Sequence, residues 1–245
     1  MIELIKVKDY KELSEVAGKV MLELVQAKPD CTLGLATGSS PVGLYQFLID
    51  AYKKGEVSFA NVKSFNLDEY CDLPREHPES YYSFMHTNLF NHIDIKEENV
   101  HLPSSLGKDL EKNCKDYSDA LNAATVDMQL LGIGANGHIG FNEPGTSFDT
   151  STHYIALKES TIKDNAALFF NGDLDAVPKS AITMGIHNIM ESKHILLIAC
   201  GKRKAEAVKG MIEGEVTEEL PASILQRHPH VTVIIDEEAA SLLTK

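Results

Sequence analysis

Thr32-Leu33-Gly34-Leu35-Ala36-Thr37-Gly38-Ser39-Ser40-Pro41-Val42 is the stretch on which the fold turns. Thr32–Ala36 is a short apolar run of strand length. Thr37–Ser40 is a turn, Pro41 suits the first position of a helix, and Val42–Lys54 has helical periodicity. The same strand–turn–helix rhythm runs outward in both directions. Val62–Leu67, Val126–Gly132, Ile195–Cys200 and Val231–Ile235 read as further buried strands, and Tyr10–Ala27, Ser80–Phe90, Leu110–Ala123, Lys202–Glu213 and Glu237–Leu243 as helices. In Tyr10–Ala27 the apolar face is carried by Leu13, Val16, Ala17, Val20 and Leu24. Strands and helices alternating at this pitch predict an α/β fold: a mostly parallel sheet with helices on both faces, doubly wound and Rossmann-like. No repeat and no Pro/Gly/Ser-rich linker interrupts the pattern, so one domain over residues 1–245 is expected.

Composition narrows the partners. The 245 residues hold 23 Lys+Arg against 36 Asp+Glu, a formal net charge of −13. A field of that sign repels nucleic acid and anionic lipid, so neither is expected as a partner; a local basic pocket could still take an anion. The apolar runs are far short of a membrane span, and Met1–Asp9 has no signal-peptide core. Cys31, Cys71, Cys114 and Cys200 form no Cys-x-x-Cys pair, which suits a reducing cytoplasm and neither a disulfide framework nor a zinc ribbon.

In an open parallel sheet the ligand sits beyond the carboxyl ends of the strands, so the loops there carry the chemistry. Gly38, Ser39 and Ser40 at a helix start offer N–H groups, hydroxyls and a favourable dipole to an anion such as phosphate. The same turn could be a plain N-cap, with Ser40 satisfying orphan donors. Asp68 and Glu69 are adjacent at a strand end and must point to opposite faces, so one can serve as a base in a dry crevice while the other makes a structural contact or meets solvent. Gly132, Gly134 and Gly137 spell Gly-x-Gly-x-x-Gly, but Gly140 and Pro144 oppose the helix that dinucleotide binding requires, so no such cofactor is expected. What remains is a Gly-rich loop holding His138 and Glu143, with Asn136 alongside. A carboxylate there can fix the tautomer of the imidazole and raise its basicity. Lys202, Arg203 and Lys204 open a helix, where the dipole disfavours cations; they are either a solvated face or the wall of an anion site.

Taken together, Leu35–Pro41, Phe65–Tyr70, Gly137–Pro144, Val177–Gly185 and Gly201–Ala205 resemble the glucosamine-6-phosphate deaminase (isomerase) family, over about Leu33 to Asp236. The resemblance implies conversion of glucosamine 6-phosphate and water to fructose 6-phosphate and ammonia, with no metal or organic cofactor. It assigns ring opening to His138 with Glu143 and Asn136, proton transfer from C2 to C1 to Asp68, and the phosphate to Gly38, Ser39, Ser40 and Lys204. Galactosamine 6-phosphate, or a 6-phosphogluconolactonase-like hydrolysis, are the alternatives. Two departures stand out. Asn136 replaces a frequent Asp, and Leu168 stands where the family carries a phosphate-gripping Arg, a loss that Arg203 or Lys202 would have to make good. Ser151–Leu157 also lacks the Arg/Lys pair of the regulated hexameric members, having His153, Ile155 and Ala156 instead. A monomer or small homo-oligomer without activation by N-acetylglucosamine 6-phosphate is therefore expected.

Overall fold

The computed structural model describes residues 2–107 and 109–244, leaving aside the side chains of Ser160, Leu168 and Phe169. In chain order the elements are β1 (Ile2–Val7), α1 (Tyr10–Ala27), β2 (Thr32–Leu35), α2 (Val42–Lys53), β3 (Lys63–Asn66), β4 (Asp68–Tyr70), α3 (Tyr81–Asn88), β5 (Val100–His101), α4 (Leu110–Ala124), β6 (Met128–Leu131), β7 (His153–Ala156), α5 (Glu159–Phe169), β8 (Ser180–Thr183), α6 (Ile186–Met190), β9 (Ile195–Ala199), α7 (Ala205–Glu213) and β10 (Val231–Asp236).

Seven strands form one sheet in the order β1-β10-β9-β6-β2-β3-β5, and every neighbouring pair is parallel. Every residue of β2, β6, β9 and β10 is buried, which requires cover on both faces, as the apolar runs predict. From β2 the chain steps outward through β3 to β5 and then returns to β6 on the other side of β2. Such a reversal opens a crevice at the carboxyl ends of the two strands. Helix α1 is capped by Asp9, whose carboxylate accepts the Glu12 N–H at 2.9 Å. It buries Leu13, Ala17, Met21 and Val25, with Val16, Val20 and Leu24 packed at the margin of that face.

The structure corrects the sequence reading in six places. Strand β1 was not expected; it adds to the sheet edge beside β10. The expected strand Val62–Leu67 stops at Asn66, and Leu67 bridges between sheets, donating to Leu35 O at 3.0 Å and accepting from Met184 N at 2.6 Å. Beyond it β4, β8 and β7 form a separate antiparallel sheet. The expected helix Glu237–Leu243 is a run of turns, with Ala239 N–H bonded to the Asp236 carboxylate at 2.8 Å; seven residues are too few to sustain a helix alone. Pro41 is the N-cap of α2, one residue before its expected place, and Lys202–Lys204 form a 3-10 turn ahead of α7. Among the described residues no helix is long and apolar enough to cross a membrane. Cys31, Cys71 and Cys114 are buried free thiols, and Cys200 is half-buried.

Candidate active site

The strands β9, β6, β2 and β3 are consecutive in the sheet, so the four loops picked out in the sequence lie side by side at one end of it. They enclose a cleft of about 220 Å³ whose wall includes Gly38, Ser39, Ser40, Asp68, His138 and Lys204. Asn136 and Glu143 are not on that wall; they contact His138 and its loop from outside the cleft.

At one part of the wall α2 begins without a side-chain cap, so neither Ser39 nor Ser40 spends its hydroxyl on the helix. Gly38 holds φ at +97°, a conformation other residues adopt only with strain. The loop is held from outside: the Tyr10 hydroxyl donates to Ser39 O at 3.0 Å, and Tyr45 Oη donates to Ala36 O at 2.6 Å.

Asp68 and Glu69 divide as strand alternation requires. Glu69 turns away from the cleft and accepts the N–H groups of Tyr70, Tyr81 and Tyr82, each at 2.9 Å, tying β4 to the start of α3. Asp68 faces the cleft while only 7% exposed. Burial, reinforced by the charge of Glu69, pushes its carboxyl up to about 8.

The Gly-rich loop after β6 contains no helix, so the dinucleotide pattern does not form. Instead the chain doubles back: Gly134 N–H donates to His138 O at 2.9 Å, and Asn142 Nδ2 donates to Ile139 O and Met184 O at 2.8 and 2.9 Å. The imidazole of His138 lies flat against Gly134, where any Cβ would come within 2.3–2.6 Å of its ring atoms. Glu143 Oε2 is 3.8 Å from His138 Nδ1, and its other oxygen accepts the Thr161 hydroxyl at 2.5 Å. Asn136 does not touch the ring; its amide donates to Glu143 Oε2 at 2.7 Å and its carbonyl accepts the His138 backbone N–H at 3.2 Å. Glu143 does raise the basicity of the ring, as expected, but burial outweighs it. Burial pushes the His138 imidazole below its ordinary range, and the opposing pull of Glu143 only offsets part of that. At neutral pH the ring is neutral.

Lys204 reaches the cleft with its ammonium pushed down by burial and by Arg203, against the pull of Asp164. Arg203 does not line the cleft and pairs with Asp164 at 3.1 Å; Lys202 is exposed and off the wall. The side chain of Leu168 lies outside the described residues. Among the described residues no three His, Cys, Asp or Glu side chains are grouped to hold a metal.

Residues 9–234 match the family described as glucosamine-6-phosphate isomerases/6-phosphogluconolactonase. The chain belongs to that family. Glucosamine-6-phosphate deaminase 2 of Bacillus subtilis (strain 168) is 53% identical over 236 residues, covering 96% of this chain and 94% of that one. The glucosamine-6-phosphate deaminase of Shouchella clausii (strain KSM-K16) is 51% identical over 245 residues, covering 100% and 98%. A solved structure of a monomeric glucosamine-6-phosphate deaminase superposes with a TM-score of 0.95 at 46% identity, over 98% of this chain and all of the other. The 6-phosphogluconolactonase of Trypanosoma cruzi shares the fold, at a TM-score of 0.79 and 22% identity over 100% and 98% of the two chains.

Within this isomerase/lactonase frame the cleft also has walls that sequence reasoning missed: Tyr81, Thr161, Asp164 and Asn165. Asn165 Nδ2 donates to Tyr70 Oη at 2.7 Å, and the Tyr81 hydroxyl bonds to those of Tyr70 and Thr37, so α5, α3 and the turn after β2 share one network. Thr161, Asp164 and Asn165 are at i, i+3 and i+4 of α5, a spacing that puts them on one face. That polar stripe was the available signal.

Proposed function

We propose that this protein is an aminosugar-phosphate deaminase that converts glucosamine 6-phosphate and water to fructose 6-phosphate and ammonia. The observation that carries the reading is the convergence of Asp68, His138 and the Gly38–Ser40/Lys204 region on one cleft. The relatives of about 50% identity that bear this activity in their names support it over lactone hydrolysis, for which the 22% likeness speaks only of fold.

The phosphate docks on the Gly38, Ser39 and Ser40 amides and hydroxyls and on Lys204, and this remote binding holds the sugar still. His138, neutral, accepts the proton of the anomeric hydroxyl and delivers it to the ring oxygen, opening the pyranose; Glu143 stabilises the transient imidazolium, and Asn136 steadies Glu143. Asp68 then takes the C2 proton. The electron pair forms the C1–C2 double bond while the aldehyde oxygen takes a proton, giving an enolamine. Return of the proton from Asp68 to C1 leaves a C2 iminium, and water replaces its nitrogen to give the ketone and ammonia. A carboxyl with a proton affinity near 8 suits abstraction from carbon better than an ordinary aspartate, because it holds the proton it must hand back. A single domain of residues 1–245, working as a monomer or small homo-oligomer in the cytoplasm without activation by N-acetylglucosamine 6-phosphate, completes the reading.

The test is release of ammonia by the purified protein from glucosamine 6-phosphate and galactosamine 6-phosphate, beside hydrolysis of 6-phosphogluconolactone. Preferred turnover of the first supports the reading. Lactone opening without ammonia release overturns it.

A further inference from the structure

Arg203 stands beside the cleft without entering it. Its Nη2 donates to Asp164 Oδ1 at 3.1 Å, and the two side chains are 75% and 55% exposed. Asp164 itself is on the cleft wall, as is Lys204, the next residue after Arg203. A carboxylate therefore stands on the wall of an anion site, holding one cation by a single nitrogen–oxygen contact and acting on the other, Lys204, through its field. That is the wrong charge for the place unless it gives way. A guanidinium offers five donors in a planar fork, and a phosphate can engage two of them at once, which one carboxylate oxygen does not. An ion pair this exposed is weak and readily exchanged for a more highly charged anion. Loosening it leaves α5 anchored, because Thr161 remains bonded to Glu143 and Asn165 to Tyr70. Lys202 is exposed and off the wall as Arg203 is, but among the described residues it makes no ion pair with a residue of the wall.

We propose that Arg203 is a further phosphate-binding residue and that Asp164 is its positioning residue, an internal carboxylate that occupies the guanidinium until the phosphate of the substrate takes its place beside Lys204. The identity of the anion rests on the phosphosugar reading above. Binding is then an exchange of partners, in which the affinity for phosphate is set against the pull of Asp164. The device also discriminates: a monoanionic carboxylate gains nothing over Asp164, whereas a dianionic phosphate does.

The test is calorimetric titration of the full chain with inorganic phosphate at one low ionic strength, with ammonia release from glucosamine 6-phosphate measured in parallel. Arg203→Ala is expected to weaken phosphate binding about tenfold or more, as loss of charged hydrogen bonds does, and to raise KM far more than it lowers kcat. Asp164→Asn is expected to tighten phosphate binding about threefold or more, while Asp164→Glu behaves as the parent. Arg203→Lys, which keeps the charge without the fork, falls between. Affinity for phosphate within twofold of the parent in Arg203→Ala, or unchanged or weakened in Asp164→Asn, overturns the proposal. If the parent binds phosphate with these trends yet releases no ammonia, the substrate reading fails and the exchange stands. If ammonia is released and the trends are absent, the exchange alone fails.

Discussion

Glu143 Oε2 stands 3.8 Å from His138 Nδ1, beyond hydrogen-bond range, while the Asn136 amide is bonded to that same oxygen. The carboxylate therefore acts on the imidazole through its field, and the ring nitrogen is buried without a partner. Replacing Glu143 by Gln removes the largest upward influence on His138, whose proton affinity burial already holds low. The kinetic limb belonging to this imidazole is expected to move to lower pH, with kcat down about 10- to 100-fold, the scale of general acid–base contributions. The pH profile of the Glu143→Gln variant checks it; an unmoved limb would free Glu143 of that role.

In the proposed reaction Asp68 must be ionised to accept a proton from carbon. With its carboxyl pushed up to about 8, kcat/KM is expected to rise with pH until about 8 and then level. Asp68→Asn is expected to cut turnover by about a thousandfold, within the range for loss of a general base, and to bind the phosphosugar as before. Ammonia release and calorimetry on the same preparation separate the two effects.

The same shift has a cost in stability, with a definite sign. Between about 4, where the unfolded chain gives up this proton, and about 8, where the folded one does, the native state binds more protons than the unfolded state. Stability therefore falls as pH rises through that window. Asp68→Asn abolishes the term, so its melting temperature is expected to exceed that of the parent above pH 8, the gap closing towards pH 4. Thermal scans across pH measure it, and a constant gap would contradict it.

Gly134→Ala drives a methyl group to 2.3–2.6 Å from three ring atoms of His138. The imidazole must move, and a displacement of that size at the group proposed to open the ring is expected to lower kcat about 10- to 100-fold. The melting temperature and the affinity for inorganic phosphate should stay near those of the parent. An alanine variant with full kcat would place the working imidazole elsewhere.

Lys204→Ala is expected to raise KM about tenfold or more, the scale for loss of a charged hydrogen-bonding partner, with a smaller effect on kcat. An unaltered KM in steady-state assays would place the phosphate elsewhere.

Much of this was legible in the residues. The apolar runs Thr32–Ala36, Ile195–Cys200 and Val231–Ile235 are buried but for the half-buried Cys200, and the loops after the first two help to line the cleft. The opposite orientations of Asp68 and Glu69 followed from strand geometry alone. The second sheet was hidden because β4, β7 and β8 are three or four residues long and β7 alternates half-buried with exposed residues, none of them buried. The sign of the His138 shift was hidden for another reason. A carboxylate five residues away is visible in a sequence, but the depth at which the ring is buried is a property of the whole packing. The pairing of Arg203 with Asp164, 39 residues apart, belongs to the same class.

Thr183 gathers the consequences of that small sheet. It lies opposite Asp68 in the ladder and opposite His153 on its other side, and its hydroxyl accepts the Phe141 N–H at 3.1 Å from the loop that carries His138. A side chain at Gly140 would come within 2.9 Å of that hydroxyl and 3.7 Å of an Asp68 oxygen. One threonine thus stands as the common datum between the strand that carries Asp68 and the loop that carries His138. Their spacing is gauged by the three short strands and the seven-stranded platform together, because Leu67, next to Asp68, is bonded to Leu35 of β2 on one side and to Met184 on the other.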